Sequence, residues 1–109
     1  MAYDEGVAQR IREIFAGRRD VKEKKMFGGL AFMVRGHMCC GVLGEKLMAR
    51  VGPKRYAGVL KQAHAREMDF TGKPLNGFVY VDPPGFESDN RLRDWITLCE
   101  QFVASLPPK

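Results

Sequence analysis

Residues 24–42, KKMFGGLAFMVRGHMCCGV, decide the fold. Their apolar residues come in short runs of Phe, Val, Met and Leu broken by glycine-containing turns, which is the pattern of strands rather than of helices. Strands are predicted over 27–34, 37–42 and 46–51, with turns at Arg35-Gly36 and at Leu43-Gly44-Glu45. Such a succession is a three-stranded antiparallel meander. Alternation along it sets Leu30, Phe32 and Val34 on one face and Ala31 and Met33 on the other, and sets Lys46, Met48 and Arg50 opposite Leu47, Ala49 and Val51. Both faces carry apolar side chains, so both need cover.

Outward from the meander the period changes. Over residues 4–16, Val7, Ala8, Ile11, Ile14 and Phe15 recur at three- and four-residue steps and form one helical stripe, with Asp4 as N-cap and Gly17 as stop. The intervening RRDVKEKK, residues 18–25, holds five basic and two acidic residues and reads as a charged connector. After the meander, Gly52-Pro53 opens a short helix over 53–62 that packs Tyr56, Val59 and Leu60 inward. A second block, MDFTGKPLNGFVYVDP at residues 68–83, supplies strands at 68–70 and 78–82 joined by TGKPLNG. A last helix starts at a Ser88 or Asp89 cap, carries Leu92, Trp95, Ile96, Cys99, Phe102, Val103 and Leu106 on one stripe, and ends at Pro107-Pro108. The expected architecture is α+β in two layers, ordered α-β(3)-α-β(2)-α, with one antiparallel five-stranded sheet and a single domain spanning residues 1–109.

Composition bounds the function. At 109 residues, 45% hydrophobic and 28% charged, the chain has enough apolar surface for one self-supporting core. No apolar run approaches a bilayer's thickness, and the N-terminal MAYDEGVAQR is acidic where a secretory signal is basic, so a cytoplasmic protein is expected. Three cysteines, two of them adjacent, make no disulfide framework. The net charge of +5 favours an acidic partner or polyanion without reaching the density of a dedicated nucleic-acid binder.

Few residues invite chemistry. Gly28-Gly29 lacks the helix and Lys-Ser or Lys-Thr of a phosphate loop, and is better read as a bulge or a close backbone approach. Neighbouring Cys39 and Cys40 on a regular strand face opposite ways, so with His37, His64 and Cys99 they form no zinc site; Cys40 and Cys99 read as buried inert thiols and Cys39 as the more exposed of the pair. Neither histidine sits in a catalytic motif, and Asp69 and Asp82 read as turn-stabilising carboxylates. No catalytic residue, cofactor or metal is assigned. Arg18, Arg19, Lys22, Lys24 and Lys25 form the densest basic cluster, a contact for a polyanion or partner, and Met26, Met33, Met38, Met48 and Met68 offer either adaptable binding surface or core filling.

The short motifs KKMFGGLAFMV, MCCGV, ARVGP, MDFTGKP, GFVYVDP and SLPPK, in this order, resemble the N-terminal domain of the TfoX/Sxy competence regulators. The resemblance covers nearly the whole chain, most strongly from Lys24 onward. It implies a secretion-chaperone-like α+β fold and a bacterial, non-enzymatic regulator of DNA uptake and related genes, with no catalytic residues to carry over. Full-length members add a C-terminal domain similar to helix-hairpin-helix modules, and the chain ends where that domain begins, so a stand-alone regulatory or protein-interaction module is expected. A protein partner is implied. A homodimer covering the second sheet face is the simplest arrangement; weak nucleic-acid binding through the basic connector is the first alternative, and an uncharacterised small enzyme ranks below it.

Overall fold

The computed structural model describes residues 3–26, 28–69, 72 and 75–107. Helix α1 (Glu5–Ile14) begins where the Asp4 carboxylate accepts the Val7 N–H at 3.0 Å, and Gly17 follows it with φ +83. Strands β1 (Val21–Met26), β2 (Gly29–Val34), β3 (His37–Leu43) and β4 (Lys46–Arg50) form an antiparallel meander. Helix α2 (Pro53–Val59) then leads to β5 (Ala65–Glu67) and β6 (Phe78–Val81). A 3₁₀ turn, Pro83–Phe86, precedes α3 (Asp89–Ala104), whose cap Ser88 accepts from the Arg91 N–H at 3.2 Å.

The six strands lie in the order β1-β2-β3-β4-β6-β5, every neighbouring pair antiparallel. The fold class is therefore the expected α+β, but with six strands instead of five. RRDVKEKK is not a connector: its second half is the edge strand β1, paired to β2 from Val21↔Val34 to Met26↔Gly29. Its four central residues are exposed, and alternating charge on an exposed edge discourages pairing with another chain. The strand expected at 68–70 is also displaced. Pairing with β6 is made by Ala65–Glu67, while Met68 leaves the ladder and is fully buried; Phe70 and three of the TGKPLNG residues lie outside the described residues.

All three α-helices serve one face. There Leu30, Phe32 and Val34 of β2 and Leu47 and Ala49 of β4 meet Ala8 and Ile11 of α1 and Leu92, Trp95, Ile96, Cys99 and Val103 of α3 in one buried cluster. On α2 only Val59 is buried, and Tyr56 and Leu60 are half-buried. The second face carries its own, smaller cluster of Ala31, Met38, Met48, Met68 and Tyr80. Gly41 makes this possible, since a Cβ there would lie 2.8 Å from Met48 Cε and 2.5 Å from the Leu30 carbonyl. Gly29 is likewise a point of close approach, its Cβ position being taken by the Val42 carbonyl oxygen.

One irregularity changes the reading of β3. Phe32 pairs with Cys40 and Met33 with Met38, which leaves Cys39 as an extra residue in a β-bulge. Met38 therefore faces the second side, while Cys39 and Cys40 both turn to the helical side. Both are fully buried, contrary to the expectation of opposite faces with Cys39 the more exposed of the two.

Candidate functional site

The pleat of β1 divides the basic cluster. Lys22 lies opposite Met33 and Lys24 opposite Ala31, on the second face, whereas Lys25 lies opposite Leu30 on the helical side. Arg18 is already engaged, its guanidinium bonded to both Asp20 oxygens at 2.9 and 3.0 Å and to Glu100 at 2.8 Å. Ion pairs among the described residues belong to Arg10, Arg12, Arg18 and Arg66, which leaves Arg19, Lys22, Lys24 and Lys25 outside them. Glu23, between the two outward lysines, turns to α1 and accepts two bonds from the Arg12 guanidinium at 2.7 and 2.9 Å. The structure thus brings Lys22 and Lys24 together and sends the other three elsewhere.

What Lys22 and Lys24 border is the second sheet face. Its β4–β6 half is closed: Met48, Met68 and Tyr80 are buried, Leu75 packs against them, and Lys46 Nζ stands 5.3 Å from the centre of the Tyr80 ring. Its β1–β3 half is open. Met26, Met33 and Leu43 pack on the same cluster but remain only half-buried, and among the described residues no α-helix lies over them. The result is a small methionine-rich apolar strip edged by two lysines that form no ion pair among the described residues. Thioethers adapt their shape to a partner, and the lysines select for negative charge.

Arg50 closes the opposite end of β4. Its guanidinium carbon lies 5.3 Å from the centres of both the Phe78 and Phe102 rings, and Nη1 donates to the Met38 carbonyl at 3.3 Å. Burial lowers its pKa from the usual value, yet the two ring faces hold the cation and tie α3 to the sheet. His37, also buried, sits with Nε2 2.6 Å from the Pro107 carbonyl oxygen. Facing a carbonyl, that nitrogen must carry the proton and donate it, so the ring pins the tail beyond α3 to β3. His64 is exposed at φ +72, Asp69 is exposed in a turn, and Asp82 receives two bonds from Arg66 at 2.8 and 3.0 Å.

Sequence reasoning missed the meeting of the three thiols. Cys39, Cys40 and Cys99 share the helical-side core. The Cys39 pKa is lowered, first by its interaction with Cys40 and then by that with Cys99, while the interaction with Cys39 and then burial push Cys40 and Cys99 up. Among the described residues no group of three or more His, Cys, Asp or Glu side chains is arranged to hold a metal ion. No described helix is long and apolar enough to cross a membrane.

Nothing among curated proteins and nothing among solved structures matches the chain. A family model described as the TfoX N-terminal domain matches residues 13–103, a span that includes the six described strands, the bulge and all but the last residue of α3. With most of its length so matched, the chain belongs to the TfoX N-terminal domain family.

Proposed function

We propose that this chain is a non-enzymatic regulatory module that holds a partner protein against the open half of its second sheet face. The family's link to competence regulation supports control of DNA uptake and related genes, in the bacterial cytoplasm, as the setting. The observation that carries the reading is the strip of Met26, Met33 and Leu43, half-buried on a face without helical cover among the described residues and edged by Lys22 and Lys24. Its chemistry fits an acidic segment with a few apolar side chains.

A second copy of the chain fits less well than the sequence suggested. The closed half of the face has already found its cover within the chain, and each copy would bring a charge of +5 with lysines beside the contact. Nucleic acid is the weaker alternative too, because the pleat disperses the basic cluster and Arg18 is committed to Asp20 and Glu100. A photoreactive residue at position 33 tests the proposal by capturing, in the cell, whatever the strip holds. An adduct with an acidic segment of another protein is expected, and the absence of any adduct overturns the reading.

A further inference from the structure

Among the described residues, Arg10, Arg18 and Arg50 stack on aromatic rings, and Arg50 differs from the other two. Arg10 lies over Phe86 and also pairs with Asp89; Arg18 lies over Phe15 and also pairs with Asp20 and Glu100. Arg50, half-buried at the end of β4, lies against Phe78 and Phe102 and pairs with no side-chain carboxylate. All 13 Asp and Glu residues of the chain are among the described residues, so none is left over to complete it. A guanidinium carries five N–H donors. Among the described residues this one makes a single hydrogen bond, from Nη1 to the Met38 carbonyl at 3.3 Å. A partly desolvated cation with most of its donors unused is suited to an anion.

The space beside Arg50 decides what kind of anion. A cleft of about 100 Å³ lined by Arg50, Asn76, Phe78 and Phe102 meets a second of about 260 Å³, between α2 and α3, and the two share Gly52, Pro53 and Phe102. The larger cleft has Val51, Pro53 and Phe102 as apolar wall and Lys54 and Arg55 as further cations, and neither cleft is lined by an acidic residue. Their walls are set by the main chain. The Val51 and Gly52 N–H groups both donate to the Gly77 carbonyl, at 2.8 and 3.1 Å, and the Phe102 ring fills the position of a Gly52 Cβ. Such a site is shaped before any ligand arrives.

We propose that Arg50 and these two clefts bind a small free monocarboxylic acid, its carboxylate on the Arg50 guanidinium and its short apolar tail against Phe102 and Val51. The volumes lie at or below the low end of the roughly 300–1,000 Å³ usual for ligand pockets, which fits a compact acid rather than a large cofactor. Inorganic phosphate would satisfy the charge and leave the apolar wall bare. A bound acid would join β4, α2 and α3 through one molecule and so stabilise the fold by mass action. The clefts stand apart from Met26, Met33 and Leu43, so this site and the partner strip do not depend on each other.

The test is an NMR titration of the nitrogen-15-labelled full chain with hexanoate and with benzoate, one acid flexible and one flat, with 1-hexanol as the neutral counterpart and inorganic phosphate as the anion without a tail. Expected are saturable shifts of the Gly52, Gly77 and Phe102 amides with at least one of the acids, at an affinity at least about tenfold above that for hexanol, and their loss in Arg50→Gln. Because Arg50 also ties α3 to the sheet, a second variant guards against misfolding: Gln101→Trp, at an exposed α3 position lining the larger cleft, should fill that cleft and abolish the shifts. Hexanol binding as tightly as the acids, phosphate moving the same amides as strongly, shifts centred on Lys22 and Lys24, or no saturable shift with either acid would each overturn the proposal.

Discussion

Trp95 is the residue whose loss should cost this fold most. It lies in the middle of α3, 5% exposed, and its indole Nε1 donates to the Gly85 carbonyl at 3.1 Å, joining the helix to the 3₁₀ turn that precedes it. Truncation to alanine empties a large volume between α3 and that turn, at about 3–5 kcal/mol. Trp95→Phe keeps one six-membered ring and loses the N–H with the rest of the indole. Gly85 retains a second donor, Arg91 Nε at 3.2 Å, so no carbonyl is left unpaired and the loss should be near 1–2 kcal/mol. Urea unfolding reads both. With an m-value of about 2 kcal/mol/M for a domain of this size, alanine should move the midpoint down by roughly 2 M and phenylalanine by under about 1 M. Of a total stability on the order of 5–15 kcal/mol, the alanine loss is a large share. A Trp95→Ala protein within about 1 kcal/mol of wild type, or one no less stable than Trp95→Phe, refutes the packing described for α3.

Two further predictions concern backbone and charge. Gly52 has φ +88 and its Cβ position is occupied by the Phe102 ring, so Gly52→Ala should cost about 1–3 kcal/mol in the same assay; Gly58→Ala in α2, with nothing within 4 Å of the new carbon, should instead stabilise by about 0.5–1 kcal/mol. The Arg66 bonds hold the Asp82 carboxyl below its usual pKa, so as pH falls through the ordinary carboxylate range the unfolded chain binds the proton first and the pair's stability is lost. Because both side chains are partly exposed, Asp82→Asn should remove only about 0.5 kcal/mol of that acid dependence between neutral pH and about pH 3.

The helices and the core were legible because their signals are local. The stripe from Leu92 to Val103, the Asp4 and Ser88 caps and the alternation of Leu30, Phe32 and Val34 all appear where the sequence places them. Strand β1 was not legible, because its identity depends on pairing with β2: Val21 and Met26 are its only apolar residues, and Lys22, Glu23, Lys24 and Lys25 between them suit a solvated connector equally well. The candidate face inherited that gap. Its methionines were noted as adaptable surface and its lysines as a basic cluster, but only the register Lys22↔Met33 and Lys24↔Ala31 sets them side by side. The thiol cluster was further out of reach. Its assembly depends on one extra residue in β3, and no residue between Met38 and Gly41 announces a bulge before the facing strand is known.

The claim that the open half of the second face holds a partner is tested most directly by photocrosslinking in the cell of origin, from position 33 on that face and, as control, from exposed Lys54 on α2. The account predicts a discrete heterologous adduct from position 33 that is absent from position 54, with the crosslinked peptide rich in Asp and Glu. An adduct of twice the 12.3 kDa chain mass would mean that a second copy occupies the face, and identical patterns from the two positions would mean that nothing does; either result contradicts the account.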